Sequence, residues 1–247
     1  MGILDGQVAL VTGAGQGSGR GVALALAAEG ALVALVGRTE SKLQSVASEI
    51  SGRGSAAAAI RCDVAENEQI DAAVEATMAS FGRIDILVNA AHHQVRRGTL
   101  LEMSDEDVEL LWRTGPRATL RFMRRCYPHM QGGGSVVNFG SSAQMNPPQF
   151  GSYAAMKDAI RAISRAAAVE WGPDRIRVNV IAPYTDSPNM IADLSSRGGS
   201  SSYSIPLGRV GDAEIDIGRV CVFLASDDAS YLTGQFLVLD GGFAYHR

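Results

Sequence analysis

The sequence predicts an α/β fold built on one doubly wound, parallel, seven-stranded sheet with helices on both faces. Three observations carry this expectation. Short apolar runs alternate with amphipathic stretches along the whole chain. The apolar runs lack a strict in/out alternation, as strands covered on both faces do. The chain has 247 residues, which suits one large domain with a substantial core rather than two.

The elements follow in order. Residues 7–12 (QVALVT) predict the first strand, and 17–29 an apolar helix closed by Gly30. Residues 32–36 form a second buried strand. The helical spacing of 41–50 ends at Gly52 and Gly54. Strand three is 57–61, followed by a helix over 68–81 that stops at Gly82. Strand four is 84–88. Two helices, 105–112 and 119–130, precede the breaker Gly132-Gly133-Gly134 and a fifth strand at 135–139. A long helix over 153–171 closes at Gly172-Pro173. A sixth strand at 177–181, a helix over 212–225 and a seventh strand at 236–239 complete the pattern. The one low-complexity patch, SSRGGSSSYS at 195–204, reads either as a surface loop or as a lid over a cleft.

Bulk properties bound the function. Apolar residues make up 46% and charged residues 19%, the balance of a soluble globular chain. A net charge of −4 offers no basic field for nucleic acid or an anionic membrane. No apolar run reaches spanning length. The opening MGILDGQVALVTG reads as a first strand rather than a signal peptide. Cys62, Cys126 and Cys221 are scattered, odd in number and without metal-ligand spacing. They read as free thiols of a reducing cytoplasm.

Chemistry concentrates at two places. The turn V-T-G-A-G-Q-G-S-G-R-G joins the first strand to the first helix. Gly13, Gly17 and Gly19 let the backbone turn tightly and approach a pyrophosphate without Cβ clashes. The helix that follows offers free N–H groups and the positive end of its dipole to that anion. The spacing is G-x-x-x-G-x-G rather than strict G-x-G-x-x-G, and a glycine turn alone is weak evidence. After the second strand, where an acid would bind the 2′-hydroxyl of NAD, the chain has Gly37-Arg38-Thr39. Arginine fits a 2′-phosphate, so NADP(H) is favoured over NAD(H). Asp63, after the third strand, is placed to meet an adenine amino group or to cap a helix.

The second place is reached through an ordered set of motifs. Thr12-Gly13-x-x-x-Gly17-x-Gly19, Cys62-Asp63-Val64, Val88-Asn89-Ala90-Ala91, Val137-Asn138-Phe139-Gly140-Ser141-Ser142, Tyr153-x-x-x-Lys157 and Arg177-Val178-Asn179 run in sequence. They lead through Pro206-Leu207-Gly208-Arg209 and Thr233-Gly234-Gln235 to Asp240-Gly241-Gly242. Across the whole chain this set resembles the short-chain dehydrogenase/reductase family. The resemblance implies a Rossmann-type domain and an NAD(P)-dependent oxidoreductase that interconverts a carbonyl and a secondary alcohol. It implies a small-molecule substrate and a homotetramer (or homodimer), with the long helices after Gly115 and Gly151 at one interface. It places Gly13, Gln16, Gly17, Ser18, Gly19, Arg38, Asp63, Val64, Asn89, Tyr153, Lys157, Pro183 and Ser187 around the cofactor, and Ser141, Tyr153 and Lys157 at the chemistry.

The residues agree with that assignment. Positions i and i+4 share a helix face, so Tyr153 and Lys157 point the same way. A nearby ammonium lowers a phenol's pKa from about 10 and lets Tyr153 exchange a proton with the substrate oxygen. Lys157 is also implied to hold the nicotinamide ribose. Ser141 is expected to hydrogen-bond the same oxygen as charge develops on it, with Ser142 as its rival.

The departures from the family pattern lie toward the substrate. The usual Asn-Asn-Ala-Gly is Asn89-Ala90-Ala91-His92, and the usual Pro-Gly after the sixth strand is Pro183-Tyr184. Ser187 lies near the family's nicotinamide-side threonine. The family's helix asparagine, which holds a water beside the lysine, falls at Gly115, so that residue is not carried over. Pro116 cannot bond the carbonyl of Trp112, which predicts a kinked or late helix there, with room beside Gly115 for a water. The rival is punctuation between two helices. His92 either lines the substrate pocket or packs beside the cofactor. Tyr184 either walls the nicotinamide pocket or packs in the core. Arg96 and Arg97 read as solvated loop charges. Two other functions stay open: a cofactor-retaining isomerase or cyclase without net redox, and a nucleotide-binding regulator without turnover. The retained Ser141, Tyr153 and Lys157 argue against the regulator.

Overall fold

The computed structural model describes residues 2–93, 98–142, 148–185 and 205–246. Seven strands form one sheet in the order β3-β2-β1-β4-β5-β6-β7. They are β1 (Val8–Thr12), β2 (Leu32–Gly37), β3 (Ala57–Arg61), β4 (Ile86–Asn89), β5 (Gly134–Phe139), β6 (Ile176–Pro183) and β7 (Phe236–Leu239). All six pairings are parallel. The order reverses between β1 and β4. That switch point opens a crevice at the carboxyl ends of the strands, where α/β sheets bind ligands.

Alternate residues of each strand feed two separate cores. Ala9 and Val11 of β1, Val33 and Leu35 of β2, and Val137 and Phe139 of β5 pack on one face. They meet helix α1 (Gly17–Ala28) through Val22 and Leu26, and helix α2 (Glu40–Gly52) through Leu43 and Val46. Leu10, Ala34, Leu87 and Val136 face the other way. They meet α3 (Asn67–Phe81) through Ile70 and Val74, and α5 (Ala118–Met130) through Phe122 and Met123. Each large side chain so buried contributes on the order of 1.5–3 kcal/mol. Among the described residues no helix is long and apolar enough to cross a membrane.

The expected break at Pro116 takes a different form. Helix α4 (Asp105–Trp112), capped where Ser104 Oγ accepts from the Asp107 N–H at 3.1 Å, runs without interruption through a π segment, Arg113–Arg117, into α5. A π segment bonds i to i+5, so it absorbs the bond that Pro116 cannot donate, and the helix widens instead of stopping. The room expected beside Gly115 is filled: a Cβ there would lie 2.5 Å from Met156 Sδ. Beyond these lie α6 (Gly151–Glu170) and α7 (Arg219–Ala225). Strand β6 runs two residues past its predicted end because Pro183 still pairs with Leu239 of β7. Arg96, Arg97, Ser187 and the 195–204 patch lie outside the described residues.

A second π segment, Ala213–Gly218, begins where Asp212 Oδ1 accepts from the N–H groups of Glu214 at 2.8 Å and Ile215 at 2.7 Å. It lies directly against α1: a Cβ on Gly21 would stand 2.3 Å from the Ala213 carbonyl carbon, and one on Gly218 would stand 2.5 Å from Ala25 Cβ. Gly21→Ala is expected to destabilise by about 1–3 kcal/mol through overpacking. Gly52→Ala, which meets nothing within 4 Å at the end of α2, is expected to be neutral or slightly stabilising. Thermal unfolding of the two variants checks the contrast, and equal melting temperatures would remove this packing argument.

Candidate active site

The phosphate turn closes as its glycines require. Gly13 and Gly17 have positive φ of 70° and 55°. Gly19 does not, but a Cβ on it would stand 2.4 Å from the Gly13 carbonyl oxygen. Gln16 lies at the N-cap of α1, whose first turn carries no acid to oppose an anion. Ser18 Oγ shares a hydrogen bond with Thr185 Oγ1 at 2.8 Å, which ties the turn to the end of β6.

Two cations stand beyond β2. Arg38 is exposed, and its Nη1 lies 3.2 Å from His93 Nδ1. Lys42, on the first turn of α2, donates through Nζ to Gln16 Oε1. Lys42 was missed in the sequence, although its i+4 spacing from Arg38 at a helix start was there to be read. Asp63 is no helix cap, since α3 begins at Asn67 with Glu66 before it. Instead, Asp63 Oδ1 accepts from the Ala65 N–H at 3.0 Å, and the Asp63 N–H donates to Gln69 Oε1 at 2.9 Å. Val64 is buried beside it. At the end of β4, Asn89 Nδ2 donates to Asn138 Oδ1 at 2.9 Å, while Asn89 Oδ1 is buried with no partner among the described residues. A cradle that a Cβ would fill and an open carbonyl oxygen beside it both fit a dinucleotide.

Tyr153 and Lys157 come from the first turns of α6. Lys157 is 2% exposed, and its Nζ donates to the Phe139 carbonyl at 2.8 Å, at the end of β5. The same Nζ lies 5.7 Å from the centre of the Tyr153 ring. Burial pushes the Lys157 ammonium down to about 7. Burial also pushes the Tyr153 phenol up to about 12, with a hydrogen bond from Ser141 acting the other way. The expectation that Lys157 lowers Tyr153 is therefore corrected for the chain alone. The low-dielectric surroundings disfavour both charges, and the lysine spends a hydrogen bond on a backbone carbonyl. Of the two candidate serines, Ser141 is the one bonded to Tyr153. Ser142 follows it immediately before residues 143–147, which are outside the described chain.

The altered positions gather around this pair. The His92 ring lies 5.8 Å from that of Tyr153, tilted by 50°. Burial, and then the Lys157 ammonium, hold His92 down at about 3, so the imidazole is neutral at working pH. Met156, whose side chain occupies the space expected beside Gly115, precedes Lys157. Tyr184 stacks on Phe243 at 4.6 Å with the rings 13° apart. Pro183 ends β6 just before it.

Fold and crevice together define a dinucleotide-binding α/β oxidoreductase. A family model described as Enoyl-(Acyl carrier protein) reductase matches residues 13–244. The chain is 40% identical to the 12alpha-hydroxysteroid dehydrogenase of Clostridium sp. (strain ATCC 29733 / VPI C48-50) over 98% of both chains. It superposes on L-sorbose reductase from Gluconobacter frateurii, solved with NADPH and L-sorbose, with a TM-score of 0.91 and 31% identity, covering 99% of this chain and 98% of that one. A 7 alpha-hydroxysteroid dehydrogenase solved with NADH and 7-oxo glycochenodeoxycholic acid matches with a TM-score of 0.90 and 29% identity over 97% and 95% of the two chains. The chain belongs to the short-chain dehydrogenase/reductase family.

The buried lysine makes a stability prediction. In the unfolded chain Lys157 titrates near its ordinary 10.5; in the folded chain it does so at about 7. Below pH 7 both states carry the charge, and the folded state bears its full burial cost. Between about 7 and 10.5 the folded state binds fewer protons, so the cost is relieved as pH rises. Lys157→Met removes that charge but leaves the Phe139 carbonyl unpaired, so its effect on the stability of the ligand-free protein is expected to be more favourable at pH 6 than at pH 9, by on the order of 2 kcal/mol. Melting curves at the two pH values check this; a variant destabilised equally at both would contradict it.

Proposed function

We propose that the protein reduces a carbonyl group to a secondary alcohol, and runs the reverse oxidation, with NADP(H) preferred over NAD(H). The observation that carries this reading is the Ser141–Tyr153 hydrogen bond beside a buried Lys157, at the carboxyl edge of the sheet. A bound nicotinamide supplies or accepts the hydride. Tyr153 holds a proton at neutral pH, as an ordinary phenol of pKa about 10 does, and burial pushes it higher still. That is the form needed to protonate an oxygen gaining charge during reduction. Ser141 would donate a hydrogen bond to the same oxygen, and Lys157 would hold the nicotinamide ribose.

Arg38 supports the cofactor preference. With Lys42 it sets two cations at the end of β2, where a 2′-phosphate would need them. Gly13, Gly17, Gly19, Gln16 and Ser18 would bind the pyrophosphate end. Asp63, Val64 and Asn89 would meet the adenosine and ribose, with Pro183 and Ser187 on the nicotinamide side. The whole chain then acts as one catalytic domain. Trp112, Leu120 and Val169 leave apolar surface exposed on α4, α5 and α6, which supports a homotetramer or homodimer through those helices. Three buried free thiols support a cytoplasmic setting.

NADPH consumption with a panel of ketones tests the reaction. Tyr153→Phe is expected to lower kcat by about 10²–10⁴-fold. Carbonyl conversion without NADPH loss would sink the redox reading in favour of an isomerase or cyclase. Arg38→Asp should weaken NADPH binding by about 10–100-fold while changing NADH binding little. Calorimetric titration of both cofactors reads this, and a wild type that binds NADH more tightly would overturn the preference.

A further inference from the structure

His92 is held where it is by a fixed loop. The N–H groups of Ala90 and Ala91 donate to Thr12 Oγ1, each at 3.1 Å. The N–H of His93 donates to Thr114 Oγ1 at 3.1 Å, and that hydroxyl is anchored on the Leu110 carbonyl at 2.8 Å. The imidazole is therefore carried to the face of Tyr153 by backbone tied down on both sides. Its Nδ1 is buried and has no hydrogen-bond partner among the described residues. Buried polar atoms are almost always paired, so an open one beside a reactive hydroxyl marks a place where a ligand completes the set.

We propose that His92 determines specificity: its open ring nitrogen hydrogen-bonds a hydroxyl on the carbon beside the reacting carbonyl, so the preferred substrates are neutral α-hydroxy ketones and the matching vicinal diols. This rests on the carbonyl–alcohol reading above. The His92 ring lies 5.8 Å, centre to centre, from the ring of Tyr153, whose hydroxyl is bonded to Ser141, so an oxygen held by that pair has the imidazole as a neighbour. A hydroxyl both donates and accepts, so it can pair with Nδ1 while the ring keeps its hydrogen bond with the Ala90 backbone. A carboxylate gains no ion pair from a histidine that stays uncharged, so α-keto acids are poorer fits. The same neutrality leaves His92 without a proton to give near pH 7, which separates its role from that of Tyr153. A site built to bond a hydroxyl discriminates strongly against the analogue that lacks it, because its own polar atom is then left open.

The test uses pairs of ketones of increasing size, open-chain, cyclic and polycyclic, each with and without the α-hydroxyl, reduced with NADPH by the full-length enzyme. In wild type the hydroxy member of at least one pair is expected to lead in kcat/KM by about 10–100-fold. In His92→Phe that ratio should collapse to within about threefold, and in His92→Asn, which keeps a polar group, it should be partly retained. Melting curves show which variants fold, and His92→Gln replaces any that does not. Three results overturn the proposal: a wild-type ratio near one; an equal fall for both members in His92→Phe, which assigns the residue to proton transfer; or weakened NADPH binding with the ratio intact, which assigns its partner to the cofactor. A wild type that reduces no ketone of any pair removes the carbonyl reading and this inference together, whereas equal reduction of both members removes this inference alone.

Discussion

The site hangs on one buried hydrogen bond, from Lys157 Nζ to the Phe139 carbonyl. It latches α6 onto the carboxyl end of β5. Two turns further along the same face, Ser164 Oγ accepts from Asn138 Nδ2 at 2.8 Å and donates to the Ile160 carbonyl at 2.7 Å. Asn138 in turn accepts from Asn89 on β4. A short polar chain thus runs from β4 through β5 to α6 inside an otherwise apolar interior. In so dry a place each bond is strong, and a missing partner is costly, so the chain fixes register as well as position. Asn89 stands at one end of it, and α6, which carries Tyr153, at the other.

That arrangement keeps groups where they are ill at ease. Burial disfavours the charge on Lys157 and the phenolate of Tyr153 alike, and Asn89 Oδ1 and His92 Nδ1 have no hydrogen-bond partner among the described residues. Away from this edge the chain obeys local rules: strands pack on both faces, and Asp212 and Ser104 accept from the N–H groups that open their helices. Proteins concentrate such violations where function needs them, and the rest of the core carries the cost.

Much of this was legible in the sequence because it is written locally. Two-sided apolar runs gave the strands, and glycines and prolines gave most boundaries. Strand ends were less legible: β4 begins at Ile86, two residues after the predicted start, although the Asp85 N–H still donates to the Val8 carbonyl at 2.9 Å and its Oδ2 accepts from the Val8 N–H at 2.8 Å. The π segments could not be read, because a period near 3.6 looks the same on either side of one wide turn. Pro116 announced a disturbance without saying that the helix would widen rather than stop.

The site divides along the same line. The glycine turn, Arg38, and the Tyr153–Lys157 spacing are short patterns with direct physical meaning. Lys42 on Gln16, Thr114 under His93 and Met156 against Gly115 join residues 21 to 41 positions apart, and no local pattern encodes them. These contacts also show why the departures from the family pattern belong together. At 115 a helix residue has lost its side chain and a methionine from the facing helix occupies the room. At 92 a loop residue has gained an imidazole, and Thr114, beside Gly115, anchors the loop that carries it. An asparagine at 115 would bring its Cβ to 2.5 Å from Met156 Sδ, so the methionine side chain of the facing helix would have to move to admit it.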